Sequence, residues 1–179
     1  MNKNTIKKGN IAKECAYVSV FVALLIAVQS VLSMIPVELV TALFISYCFT
    51  FGVKRGMLSA TVFTFVRQLV FGFFPTVFIL YLVYFNFLAW LFGYLGTKIN
   101  HPLKSLAVIT FISCVCTFLF SMLDNILTPL FYAYSQEATK AYFIASFSFT
   151  LPQIIGTAVS VSVLFFPLHK AFYFAKKQL

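Results

Sequence analysis

Apolar residues fill six stretches of this chain, separated by prolines and short basic or polar segments. The first stretch, 15–35, follows Lys3, Lys7, Lys8 and Lys13 and stops at Pro36. The second, 37–53, ends at Lys54-Arg55-Gly56, and the third, 57–74, ends at Pro75. The fourth, 76–97, gives way to Lys98-Ile99-Asn100-His101-Pro102, a polar turn with a proline breaker. The fifth runs from 105 to about 130, with Pro129 near its far end, and 132–140 is the one polar connection of appreciable length. The last, 141–166, contains Pro152 and finishes at Pro167. A helix needs about 20 apolar residues to cross a bilayer. Each stretch therefore predicts one transmembrane helix, the second and third short enough to require tilt or bilayer thinning. Pro152 predicts a kink near a backbone opening in the sixth, because proline removes a backbone donor.

Composition places these helices in a membrane. Hydrophobic residues make up 61% of the chain and charged residues 9%, against roughly half and a quarter in a soluble domain. A water-soluble core cannot hide that much apolar surface. The predicted fold class is an all-α integral membrane protein, a single bundle of about six transmembrane helices over 15–168, with basic cytoplasmic tails at 1–14 and 169–179. A cleaved signal peptide shares the basic start, but its apolar region usually covers about 7–15 residues, shorter than the first stretch here.

The formal charge of +9 falls in the connections. Four lysines precede the first stretch, Lys54 and Arg55 follow the second, Lys98 and Lys104 flank the fourth turn, and Lys170, Lys176 and Lys177 follow the last. Lys140 stands alone on the other side and Arg67 lies inside a span. The positive-inside rule then places both termini in the cytoplasm, with a bacterial cell membrane as the expected location. That rule explains the basic surface without a nucleic-acid partner. Cys15, Cys48, Cys114 and Cys116 lie in apolar runs, where cysteine acts as a small hydrophobe, and no disulfide framework is expected. Cys114 and Cys116 stand about 200° apart around a helix and cannot share a metal on one face.

Polar groups inside apolar spans are costly and usually face a bundle interior or cavity. Arg67, beside Gln68, lies about 18 Å in from Arg55 at the helical rise. It either snorkels outward or pairs with a carboxylate, or it receives an anionic ligand group. Asp124-Asn125 approaches the outer surface, at a depth suited to a binding pocket, with pairing of Asp124 to Arg67 as the structural alternative. Glu38 follows the Pro36 break, as a loop acid or a gate over a cavity. Asn86 and Trp90 are four apart and share a helix face, with Gly93 a turn further on, while Tyr81 and Tyr84 share another. Gln153, next to Pro152, either satisfies freed backbone groups or faces ligand. Tyr132 and Tyr134 lie in the outer loop, closing over a planar molecule or marking the interface. No catalytic constellation and no metal site are expected. The two histidines, His101 and His169, sit at the cytoplasmic edge, and the absence of a phosphate loop means that any ATP-driven function needs another subunit.

Small residues four apart allow close helix approach, and the first span carries Ser19, Ala23 and Ala27 on one stripe. The segment Ala23-Leu-Leu-Ile-Ala27-Val-Gln-Ser-Val-Leu-Ser-Met-Ile-Pro36, followed by Glu38-Leu-Val-Thr41, resembles the first helix and its break in the substrate-binding S components of energy-coupling factor transporters. Gly52, Gly72 and Gly93-Tyr-Leu-Gly96 fit the same style, and the likeness covers nearly the whole chain. The resemblance implies capture of a vitamin or related micronutrient near the outer face by helices four to six and the outer loops. It implies docking of the first three helices, through Ser19, Ala23 and Ala27, on a membrane coupling subunit served by two ATPase subunits. No cofactor is implied. Glu38, Arg67, Asn86, Trp90, Asp124, Asn125, Tyr132 and Gln153 are the candidate substrate contacts, chosen by depth and polarity. Arg67 departs from the pattern, being a charge on a docking-side helix. The competing readings are a non-catalytic structural subunit of a membrane or envelope assembly, and an intramembrane enzyme using Asp124 or Glu38, which lacks a second acid-base group at plausible depth.

Overall fold

The structure, a computed structural model, describes residues 3–32, 38–99 and 102–178, with side chains of the first helix described over 12–31. The break at Pro36 and His101 lie outside the described residues. Six helices account for the fold: α1 (Lys3–Leu32), α2 (Leu39–Phe51), α3 (Val53–Phe71), α4 (Pro75–Lys98), α5 (Leu106–Phe131) and α6 (Gln136–Lys177), with no strand among the described residues. The chain is an all-α membrane protein. Four of its helices are long and apolar enough to cross a membrane: α1 over Ala12–Val31, α4, α5 and α6.

The second run, expected to be short, forms a helix that other helices enclose. Helix α2 has 13 residues, about 20 Å at the helical rise, against a hydrocarbon core of about 30 Å. All ten residues from Thr41 to Thr50 are buried. A surface helix hides one stripe, whereas burial all round marks a helix enclosed by others, and α2 contacts α1, α3, α4 and α6. Enclosed by protein, it has no lipid thickness to match. Its hydroxyls are satisfied locally, Ser46 donating to the Ala42 carbonyl at 2.7 Å and Thr50 to that of Ser46 at 2.8 Å. Around it lies an aromatic core in which Phe21 stacks on Tyr47 at 3.7 Å and Phe85 meets Phe44 edge-on at 4.9 Å.

Gly52 ends α2 and starts α3 by itself. Its φ of +86° is open to glycine at little cost, and its N–H closes the helix on the Cys48 carbonyl at 2.8 Å. Helix α4 packs against this corner through Gly93 and Gly96. A Cβ at Gly93 would lie 2.6 Å from the Val53 nitrogen, and one at Gly96 would overlap the Phe49 carbonyl. Pro75 opens α4 at the position where a missing N–H costs nothing.

Helix directions alternate, so the bundle has two ends. The start of α1, the α2–α3 corner and the end of α6 meet at one end, where Arg55 pairs with Glu14 at 2.9 Å and the Thr50 hydroxyl meets His169 Nδ1 at 2.8 Å. The opposite, far end carries the end of α1, the start of α2 and the α3–α4 and α5–α6 connections. There α6 begins at Gln136, five residues earlier than the apolar pattern predicts, because Ser135 caps it by accepting from the Ala138 N–H at 3.2 Å. The helix runs for 42 residues, through Pro152 and Pro167, roughly 63 Å.

Helices α5 and α6 meet along an antiparallel polar seam: Thr110 with Ser162 at 3.3 Å, Thr117 with Thr157 at 2.9 Å, Ser121 with Gln153 at 3.5 Å and Asn125 with Ser146 at 2.7 Å. Interhelical hydrogen bonds in membrane proteins average about 0.6 kcal/mol. The seam therefore fixes register more than it stabilises, and towards the far end it opens into a cavity.

Candidate functional site

Ser121, Asp124 and Asn125 recur at i, i+3 and i+4 on α5, which puts them on one face. On α6 the same spacing aligns Tyr142, Ser146, Phe149, Thr150 and Gln153. These two faces, with Phe120 and Ala145, line a cavity of about 290 Å³, near the lower limit for small-molecule sites. The polar groups lie along the seam and the aromatic rings of Phe120 and Phe149 supply apolar wall.

Asp124 is held by two neutral donors. The Thr128 hydroxyl donates to its Oδ1 at 2.9 Å and the Tyr142 hydroxyl to its Oδ2 at 2.7 Å. From the start of α2, Glu38 reaches the cavity's Gln153, whose Nε2 donates to Glu38 Oε1 at 2.9 Å, while Thr41 donates to Glu38 Oε2 at 2.7 Å. Asn125 is 3% exposed and gives its Nδ2 to Ser146 at 2.7 Å. Its Oδ1 is buried without a partner, an arrangement that is costly unless something else satisfies it.

The structure thus brings together Glu38, Asp124, Asn125 and Gln153, and it places the other four candidates elsewhere. Arg67 lies with its guanidinium carbon 4.2 Å from the Tyr81 ring centroid and 5.4 Å from that of Phe71. It pairs with neither Asp124 nor Glu38, since the salt bridge among the described residues is Arg55–Glu14. Its Nε and Nη1 are buried without acceptors, as is Nε2 of the neighbouring Gln68. Gln29 of α1 donates to the Tyr81 hydroxyl at 3.2 Å and leaves its own Oε1 unpartnered, so a second polar cluster sits between α1, α3 and α4. Asn86 donates to the Leu82 carbonyl at 2.8 Å and faces Thr61 at 3.5 Å across α3 and α4. Trp90 is exposed on the outer side of α4. Tyr132 is exposed in the turn after α5, stacked on Tyr134, which in turn meets Tyr142 edge-on at 6.0 Å.

Sequence reasoning missed Tyr142, Ser146 and Thr150. Their signal is the three- and four-residue spacing back from Gln153, which becomes informative only once α6 is known to begin at Gln136 and pair with α5. On α1 the small residues Ser19, Ala23 and Ala27 are exposed, while Val18, Phe21, Val22 and Leu25 on the other side are buried. No family model, no curated protein and no solved structure matches this chain.

Proposed function

We propose that this chain is the membrane-embedded substrate-binding subunit of an energy-coupling-factor-type importer. It captures a small micronutrient, of the size and kind of a vitamin, in the α5–α6 cavity. Its termini lie in the cytoplasm of the cell and the cavity faces outward, and a membrane coupling subunit with two ATPase subunits drives delivery. The chain performs no chemistry of its own.

The observation that carries this reading is the cavity itself. Its lining combines a carboxylate and two amides, Asp124, Asn125 and Gln153, with apolar wall, as expected of a small-molecule site. Glu38, hydrogen-bonded to Gln153 from the head of α2, is placed to gate it. A second support is the surface of α1, where Ser19, Ala23 and Ala27 leave a shallow exposed stripe on which another membrane helix can approach closely. Arg67 and Asn86 in this reading serve the adjoining α1–α3–α4 region, and Trp90 and Tyr132 the membrane interface and the cavity rim.

Affinity purification of the full chain from cells that also express an energy-coupling module tests this. The coupling subunit and ATPases are expected to copurify, together with one metabolite released on denaturation and identified by mass spectrometry. Ala23→Leu with Ala27→Leu is expected to abolish the copurification and leave the metabolite bound. Recovery of neither subunits nor metabolite, with a different membrane assembly attached, would replace this reading with that of a structural subunit.

A further inference from the structure

We propose that the α5–α6 cavity takes an organic cation, a small planar molecule carrying an amidinium, ammonium or similarly N–H-rich group. The inference rests on the cavity being the substrate site and adds the charge and hydrogen-bonding character of what fills it.

Every hydroxyl on the cavity wall already spends its proton inside the protein: Tyr142 on Asp124 Oδ2, Ser146 on the Phe143 carbonyl at 2.7 Å, Thr150 on the Ser146 carbonyl at 2.9 Å, and Ser121 on the Thr117 carbonyl and Gln153 Oε1. Because the Ser146 hydroxyl donates to Phe143, it can only accept from Asn125. That fixes the Asn125 amide with its NH₂ towards Ser146 and its oxygen unpartnered. The same logic orients Gln153, since a carboxylate such as Glu38 accepts only from the NH₂ side. What remains for a ligand is chiefly the free lone pairs of Asp124 and Gln153 Oε1. A ligand that donates fits this surface.

Charge points the same way. Asp124 lines the cavity and Glu38 is one hydrogen bond behind it, and both are held by neutral hydroxyl and amide groups alone. No lysine or arginine lines the cavity, and neither acid forms a salt bridge among the described residues. The aromatic residues Phe120, Phe149 and Tyr142 line the cavity, and aromatic rings attract cations. A bare metal ion is a poorer occupant, since no group of three His, Cys, Asp or Glu suited to hold one occurs among the described residues.

Three isosteric probes separate charge from shape: benzamidinium, benzamide and benzoate, each titrated into the full-length protein in lipid nanodiscs by competition saturation-transfer NMR. Benzamidinium is expected to bind about tenfold or more tighter than benzoate, with benzamide between. Asp124→Asn, which keeps an acceptor for Tyr142 or Thr128, is expected to bring the three within about twofold of one another. Asn125→Asp, which adds a second carboxylate to the residues lining the cavity, is expected to widen the preference and provides the test if the first variant does not fold. Benzoate binding as well as benzamidinium, binding of none of the three, a preference that survives Asp124→Asn, or one that Asn125→Asp narrows would overturn the proposal. A benzamidinium preference in a chain that captures no coupling subunit would keep the cation site and discard the importer, whereas capture of the subunit with benzoate preferred would do the reverse.

Discussion

Arg67 shows what a half-buried charge does when its environment supplies no acid. Its guanidinium lies against two aromatic rings, a contact worth about 0.5–2 kcal/mol, and leaves two N–H-bearing nitrogens unpartnered. These effects oppose one another. Arg67→Leu is therefore expected to change unfolding stability in detergent by no more than about 1 kcal/mol, measured by chemical denaturation; a loss of about 3–5 kcal/mol would reveal a buried ion pair instead. Asn125 is the opposite case, an uncharged group whose orientation depends on a neighbour. Ser146→Ala removes the acceptor that holds its amide, so the amide can turn and present N–H to the cavity. The expected result is a several-fold weaker preference for benzamidinium over benzoate in the same NMR competition, with helix content by circular dichroism unchanged.

Among the elements, α2 and α4 depend most on close backbone approach. A methyl at Gly96 would overlap the Phe49 carbonyl, and one at Gly93 would press on the backbone of Val53. Neither obstacle is a side chain that can rotate away. Gly96→Ala is expected to destabilise the bundle by about 1–3 kcal/mol, the usual cost of overpacking, and to lower its thermal midpoint in detergent. At Gly72 a Cβ meets nothing closer than the Phe74 ring at 3.5 Å, yet φ is +94°. There the cost is backbone strain alone, about 1–3 kcal/mol for a conformation that is essentially glycine's own, so Gly72→Ala is expected to lower the midpoint in the same melting experiment with no steric overlap involved. The α5–α6 pair works differently: its polar seam sets register, and the register decides which side chains meet in the cavity.

For the molecule as a whole, charge distribution and topology make one joint prediction. With eleven of its thirteen Lys and Arg at the tails and at the connections on their side of the bundle, the chain should insert with both termini inside. A cysteine placed at Ser135, in the turn before α6, is then expected to react with a membrane-impermeant maleimide in intact cells, and one at Gln178 only after permeabilisation. The reverse labelling would invert the bundle and turn the cavity towards the cytoplasm. Fold class and helix order were legible in the sequence because apolar runs, prolines and basic pairs are local signals: the expected fifth stretch, 105 to about 130, matches α5 within about a residue at each end. The second run did not reveal that its helix is surrounded by protein, because burial on every side is a matter of packing between segments far apart in the chain. The start of α6 was hidden as well, since Gln136, Glu137 and Lys140 read as a polar loop until Ser135 is seen to cap them. Among the candidate residues, sequence singled out the polar groups by their cost in lipid. Which of them converge is a matter of helix rotation and register, contacts between residues far apart in the chain. Tertiary structure therefore gathered Glu38, Asp124, Asn125 and Gln153 around one cavity and left Arg67 on Tyr81.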